Sequence, residues 1–326
     1  MMDRTTLRQR QSLSLDEKIM LSQARIRDWY EHWNGQVYVA FSGGKDSLVL
    51  IHLARDFYPE IQACFINTGL EWPEIIQHVK TISKVDIVRP QHDFKWCCEK
   101  YGYPIVSKMV SDKIEQVRMT KNPMLRELWL TGRSGARKTM FRIPKKWNYL
   151  VDAPFKISSH CCDYLKKQPA IRYERATGLH PMLGTLAVES MMRTAEYVHY
   201  GCNAYDKRRP TSSPIAFWME QDVLEYLIRY NLSIAPIYGR ISTIAGIHAC
   251  TGEQRTGCVA CPFGQHHLDP NTYQRMARTH PKLLTWILDD LNMRQVLEYS
   301  KVKYTPDEPL RIPGQPYSIY TSEKLG

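Results

Sequence analysis

Six consecutive residues, Ser42-Gly43-Gly44-Lys45-Asp46-Ser47, place two glycines, two hydroxyls, a cation and a carboxylate in one unbroken run. Glycine frees backbone N–H groups, and a helix starting there adds the positive end of its dipole, a combination that binds phosphate or sulfate. A tight strand-to-helix turn capped by Ser42 or Ser47 would explain the glycines but gives the lysine no task. Gly-x-x-x-x-Gly-Lys-Ser/Thr is absent, so this is not the Walker arrangement. A second constellation is made of thiols: Cys161-Cys162, and Cys258-Val-Ala-Cys261 at Cys-x-x-Cys spacing. Four thiolates in two close pairs suit tetrahedral zinc or a [4Fe–4S] cluster. Cys97-Cys98 forms a competing pair. The third group is basic and aromatic: Arg133, Arg137, Lys138, Arg142, Lys145 and Lys146 interleave with Phe141, Trp147 and Tyr149. Cations for phosphates and rings for bases are what a single-strand or opened-duplex groove uses, and a lid of solvated charges is the plain alternative. Lys207-Arg208-Arg209 is a second basic cluster of the same ambiguity.

The elements around the first run are legible. Val37–Phe41 is a short apolar run fit for a central parallel strand, and the spacing after Asp46 suits a partly buried helix. "IQACFINTG" (61–69) is a second strand ending in a glycine turn, "EWPEIIQHVKTIS" a helix and "VDIVRP" (85–90) a third strand. Alternating strands and helices imply right-handed crossovers and a parallel sheet. Ligands then sit outside the carboxyl ends of the strands, where the 42–47 and 67–69 loops emerge. Ser14-Leu15-Asp16-Glu17 reads as a capping box opening an N-terminal helix that Gly35 stops. Residues 180–190 have strand texture and 222–231 read as an amphipathic helix. The expected division is an N-terminal helix (1–35), an α/β domain (36–262) with a basic insertion at about 107–160, and a helical extension (263–326) with an irregular end.

A chain of 326 residues with net charge +11 favours a polyanionic partner. There is no run of 18 apolar residues and no signal-like N-terminus, so a cytoplasmic protein without a membrane span is expected. Nine cysteines fit that reducing setting better as metal or redox groups than as disulfides.

Taken together and in order, the motifs resemble the phosphoadenosine-phosphosulfate (PAPS) reductase superfamily over about residues 30 to 265. "SGGKDS" is similar to the PP-loop of ATP pyrophosphatases, and "FINTGLEWPE" to the second-strand signature. "CCDYLK" (161–166), "GTLAVESMMR" (184–193), "SPIAFWMEQDVLEYL" (213–227), "APIYGR" and "GCVACP" follow collinearly. The resemblance implies a parallel-sheet, adenine-nucleotide α-hydrolase-like fold with a helical C-terminal extension. It implies ATP as cofactor, bound by Ser42, Gly43, Gly44, Lys45, Asp46 and Ser47, with Asp46 assisting Mg²⁺. Asn67, Thr68 and Gly69 would border the adenosine, and Gly184, Glu189, Ser190 and Arg193 would close over the α-phosphate. Lys45, Asp46 and Arg193 are the implied catalytic residues, Arg193 countering charge as pyrophosphate leaves. In cluster-containing relatives the cysteines matching Cys161, Cys162, Cys258 and Cys261 bind [4Fe–4S]. The match around Lys166 favours the 161–162 pair over Cys97 and Cys98.

Two departures sharpen the reading. No cysteine follows Cys261 in this sequence, whereas thiol-linked sulfonucleotide reductases use a C-terminal one. Those reductases also carry a degraded PP-loop, and here it is intact. Leu186 stands where the family's loop has its first arginine, which weakens sulfate recognition there. The combination resembles the ATP-splitting iron–sulfur branch of DNA phosphorothioation, the Dnd/Ssp type. That implies ATP cleavage to AMP and pyrophosphate, activating a nucleic-acid phosphate or base (DNA ahead of tRNA) for sulfur from a cysteine desulfurase or other persulfide donor. A homo-oligomer is compatible with this. The alternatives are a reductase of APS or PAPS, and a non-catalytic cluster-bearing subunit that binds nucleic acid.

Overall fold

The computed structural model describes residues 3–305. The chain divides into two compact units, Met1–Phe263 and Gly264–Gly326. Two N-terminal helices, α1 (Arg4–Gln11) and α2 (Leu15–His32), stand where one was expected. Ser14 and Glu17 form the expected capping box on α2. The strand–helix alternation then runs β1 (Val37–Phe41), α3 (Lys45–Phe57), β2 (Gln62–Ile66), α4 (Pro73–Thr81) and β3 (Val85–Val88). Helices α5 (Phe94–Tyr101), α6 (Lys108–Met119) and α7 (Pro123–Thr131) follow, with a small hairpin of β4 (Arg133–Ser134) and β5 (Arg137–Lys138). A helical run opens with α8 (His160–Cys162), passes through a π turn at Asp163–Lys167, and continues as α9 (Gln168–Thr177). Next come β6 (His180–Leu183), α10 (Met191–Tyr200), β7 (Asn203–Ala204), β8 (Thr211–Ser212) and α11 (Glu220–Arg229). The hairpin of β9 (Ile241–Ile244) and β10 (Ile247–Cys250) leads to the second cysteine pair. In the second unit α12 (Thr272–Thr279), α13 (Pro281–Asp289) and α14 (Met293–Tyr299) are the helices among the described residues. The C-terminal segment expected to be irregular lies, from residue 306, outside them.

One six-stranded sheet, in the order β3-β2-β1-β6-β8-β7, organises the first unit. Its pairings are parallel except the antiparallel edge pair β7–β8. This is the expected α/β class with a mainly parallel sheet. β1 is its core strand: Val37, Tyr38, Val39 and Phe41 are buried, consistent with a run that has no polar alternation. The chain leaves β1 toward β2 on one side, while β6 lies on the other. That reversal of strand order is where a doubly wound sheet opens a crevice at its carboxyl edge. The loops after β1 and β6 both issue there.

Strand texture was expected through residue 190, but β6 ends at Leu183. Gly184 explains the stop. A Cβ on it would lie 2.8 Å from the Ser47 Cα, so the chain turns away against the start of α3 and forms a short 3₁₀ turn at Ala187–Glu189.

The basic insertion is built rather than loose. The Arg118 guanidinium donates to the carbonyls of Leu150, Val151, Ala153 and Phe155 at 2.7–2.9 Å, tying α6 to the end of the segment. Trp147 is buried and Tyr149 half-buried, so neither ring is a free stacking surface; Phe141 is exposed. The Lys207–Arg209 cluster is also partly structural. Arg209 makes a two-pronged pair with Glu174, which accepts from the Tyr38 hydroxyl, and Lys207 pairs with Glu196. No helix among the described residues is long and apolar enough to cross a membrane.

Candidate functional site

The loop after β1 owes its shape to its own side chains. Gly43 has φ +74°, and a Cβ there would fall 2.6 Å from the Ile75 Cγ2 on α4, so conformation and space both require glycine. Ser42 N–H donates to Ser47 Oγ (3.2 Å), Ser47 Oγ donates to the Gly44 carbonyl (3.0 Å), and the two hydroxyls meet at 3.0 Å. The serines therefore act as rivets. Gly44 caps α3 without a side chain, leaving first-turn N–H groups uncapped by a side chain of the N-cap residue. The Tyr238 hydroxyl reaches the Lys45 backbone and pairs with Thr256 Oγ1 at 2.6 Å.

Lys45 is buried, and its ammonium does not extend over the glycines. It donates to the Gln254 carbonyl (2.9 Å), pairs with Glu220 (3.2 Å) and lies 3.7 Å from Cys250 Sγ and 5.3 Å from the Tyr238 ring centroid. Two arginines also bear on the loop. Glu189 holds two guanidiniums at once, Arg193 on α10 and Arg255 (2.5 Å), and accepts from the Leu186 N–H at 3.2 Å. Burial raises the Asp46 carboxyl above the usual range, while Lys45, Arg255 and Arg193 pull the other way. Burial likewise lowers Arg193. Ser190 caps α10 by accepting from the Arg193 N–H at 3.2 Å, and Gly184 permits the close approach to Ser47. Glu189, Ser190 and Gly184 thus position the arginine and the loop.

In the loop after β2, Asn67 Oδ1 accepts from the Gly69 N–H at 3.0 Å. Thr68 is buried against the Glu71 carboxylate, which accepts from both its N–H and its hydroxyl. These residues shape the loop, and the walls of the adjoining cleft come from neighbours. That cleft holds about 190 Å³ between Phe41, Phe65, Trp72 and Ile75, with Ser42, Glu71, Lys166 and Thr256 at its rim. Pockets enclosing a whole ligand run to about 300–1,000 Å³. This one is smaller, of a size for a flat ring system, with Ser42 among its lining residues.

The four expected cysteines share one neighbourhood in the first unit. Cys161 is perturbed first by a hydrogen bond with Cys162 and also by the charge of Cys261 and Cys98; Cys261 is perturbed by Cys258 and Cys162. The Cys161 thiol is pushed up, while that hydrogen bond, then Lys108 and Lys166, hold Cys162 low. Burial raises Cys258 and pushes Cys261 up to about 12. Cys258 in turn keeps Lys166 strongly protonated. Cys161-Cys162 enter the π turn, a helix irregularity that often marks a functional site. Cys98 lies close enough to Cys161 to affect it, so the competing pair is adjacent rather than remote. As placed, no three His, Cys, Asp or Glu side chains among the described residues form a group that could hold a metal ion. The donor set itself, four free thiols beside an ammonium, has the soft chemistry that zinc or an iron–sulfur cluster takes.

Tyr238, Glu220, Gln254, Arg255 and Thr256 were not anticipated. "QRT" directly precedes the Gly-Cys-x-x-Cys run, but nothing in its spacing announces an arginine returning to the first loop.

Residues 36–139 match the phosphoadenosine phosphosulfate reductase domain family. Two uncharacterized proteins of Methanocaldococcus jannaschii are 32% and 31% identical over 109 and 93 residues, 28% and 22% of this chain. Each match spans 23% of the relative's length. Among solved structures, a PAPS reductase from Candida auris in a phosphate complex is similar with TM-score 0.39 at 14% identity, covering 69% of this chain and 91% of that one. The U34-tRNA thiolase NcsA of Methanococcus maripaludis with its [4Fe–4S] cluster gives TM-score 0.33 at 14% identity, covering 86% and 80%. Residues 36–139, which carry the glycine loop at the switch point of the mainly parallel sheet, are thus similar to a phosphoadenosine phosphosulfate reductase domain.

Proposed function

We propose that this chain binds ATP with its base in the cleft beside β1 and β2 and its phosphates over Gly43–Ser47, and breaks the bond between the α- and β-phosphates. The observation that carries the reading is the intact loop at the sheet's switch point, faced by two guanidiniums that share Glu189. An acceptor oxygen attacks the α-phosphorus, pyrophosphate leaves, and the acceptor carries AMP. The outer sulfur of a persulfide donor, a cysteine desulfurase among them, then displaces AMP, and a dithiol reductant cleaves the resulting S–S bond to release the sulfurated acceptor and the donor thiol, itself becoming a disulfide. Arg193 and Arg255 counter the charge that builds on the departing phosphate oxygens, a contribution of about 2.7–4 kcal/mol for one well-placed donor. Asp46 would help hold Mg²⁺. Lys45 fixes the residue 254–256 strap against the loop. The acceptor is a nucleic acid, DNA ahead of tRNA, as the basic insertion and net charge +11 favour.

Cys161, Cys162, Cys258 and Cys261 would hold the [4Fe–4S] cluster, which when bound supplies electron transfer or sulfur handling. Only one residue separates Cys258 from Thr256, which pairs with the Tyr238 hydroxyl beside the glycine loop. A second reading, reduction of APS or PAPS, is favoured by the matched domain. A third is a non-catalytic nucleic-acid-binding subunit. Anaerobically reconstituted protein given labelled ATP separates them. Release of AMP and pyrophosphate, lost on Lys45→Ala with the four cysteines still loaded, supports the first. Sulfite from PAPS with a thiol reductant replaces it by the second, and nucleic-acid binding with neither product by the third.

A further inference from the structure

The segment from Lys121 to Lys146 holds eight lysines and arginines against one acid, Glu127. In the hairpin, Arg133 stands directly opposite Lys138, with Ser134 opposite Arg137. Like charges facing across an antiparallel pair repel, and proteins ordinarily place a carboxylate there. Among the described residues no salt bridge joins Arg133, Arg137, Lys138, Lys145 or Lys146 to a carboxylate. All five are exposed. Next to them Phe141 is 55% and Met140 82% exposed.

This face is held rigidly. Arg142 donates to the Thr131 carbonyl (2.7 Å), the Thr139 N–H to Gly132 (3.0 Å) and the Ile143 N–H to Trp129 (2.8 Å), while Ile143 is fully buried. Together with the Arg118 clasp, these bonds tie the segment to α7 and to its own end, and Lys146 lies over the Trp147 ring at 5.1 Å. A mobile cover over a nucleotide would need hinges, and the hairpin's base is instead stitched to α7. Cations without a carboxylate partner on both faces of one short hairpin, near an exposed aromatic ring, match a chain of phosphates carrying flat bases.

We propose that the β4–β5 hairpin and the residues that follow it to Lys146 form a docking face for unpaired nucleic acid, phosphates on Arg133, Arg137 and Lys138 and a base on Phe141. The proposal rests on the nucleic-acid acceptor above and names the surface that takes it. Its test is the binding of the full chain to a short fluorescent DNA strand, the matching duplex, and phosphatidylserine vesicles, across about 50–200 mM salt. The triple variant Arg133→Ala/Arg137→Ala/Lys138→Ala is expected to lose at least tenfold in strand affinity. Its log-affinity against log-salt slope should shrink by about two, at roughly 0.7 per phosphate contact. Phe141→Ala is expected to weaken the single strand by roughly tenfold without changing that slope. Unchanged melting temperatures and unchanged ATP cleavage without DNA show that the variants fold. Strand binding that stays at the wild-type level after all four changes overturns the docking face while leaving the nucleic-acid acceptor standing. Binding of vesicles but not oligonucleotides overturns the face as drawn here in favour of a membrane surface. Pyrophosphate release with no oligonucleotide binding overturns it and leaves the ATP reading intact.

Discussion

Gly184 shows how little room the candidate site leaves. A methyl group there meets the Ser47 backbone at 2.8–2.9 Å, and neither chain is a flexible side chain that can step aside. Gly184→Ala is expected to cost about 1–3 kcal/mol of stability and to weaken nucleotide binding more than tenfold, read by thermal melting and by titration with a fluorescent ATP analogue. A variant that melts and binds as the parent would remove the close packing from the account. At this scale the sequence announced residue types better than residue tasks. The hydroxyls of Ser42 and Ser47 were legible as loop residues, yet they close the loop on itself. Lys45 was legible as a cation beside glycine, but Glu220 and Gln254, some 175 and 209 residues away, decide where it points. Arg255 had no signal, because a lone arginine three residues before a cysteine has no periodicity or spacing to mark it. The same holds for the influence of Cys98 on Cys161, since only the fold brings α5 beside α8.

Among the elements, β1 and β2 were readable because apolar runs bounded by turns leave few other conformations, and β3, interrupted by Asp86, was readable from its place after a helix. β7 and β8 were not, being two residues each, too short for any alternation to register. The insertion was unreadable for a different reason. Its helix α6 buries Val110, Ile114 and Val117 but is tied to the end of the segment by a guanidinium bonded to four carbonyls, a link that no periodicity marks. Arg118→Ala leaves those carbonyls to find water, and the expected loss is about 2–4 kcal/mol, since bonds to a charged donor are worth about 1.5–3 kcal/mol each and are not additive. Limited proteolysis should then cut between residues 140 and 155 well before the parent is cut. An equally resistant variant would mean that the buried Ile143, Trp147 and Leu150 suffice to hold the insertion.

For the whole molecule, pH tests how the core holds its histidines. Burial lowers the pKa of His52, His78 and His180 from 6.5. His52 Nδ1 lies 2.7 Å from the Tyr226 hydroxyl, His180 stacks on Trp33, and His78 Nε2 is buried without a hydrogen-bond partner. Each takes a proton more readily unfolded than folded. Their contribution to stability is therefore full above pH 6.5 and is lost as pH falls through the lower folded values. The urea midpoint is expected to drop between about pH 7 and 5, and His78→Leu, which removes one such proton site, should flatten part of the drop. A midpoint that holds steady or rises on acidification would contradict the burial of these rings. Beyond stability, the molecule's central claim is that one glycine loop and two arginines open ATP at its innermost phosphoanhydride bond. Phosphorus NMR of ATP turned over by the anaerobic, reconstituted protein tests it most directly. AMP and pyrophosphate in equal amounts, absent with Lys45→Ala, are the expected products; ADP with inorganic phosphate, or ATP left whole at saturating protein with and without DNA, would contradict the account.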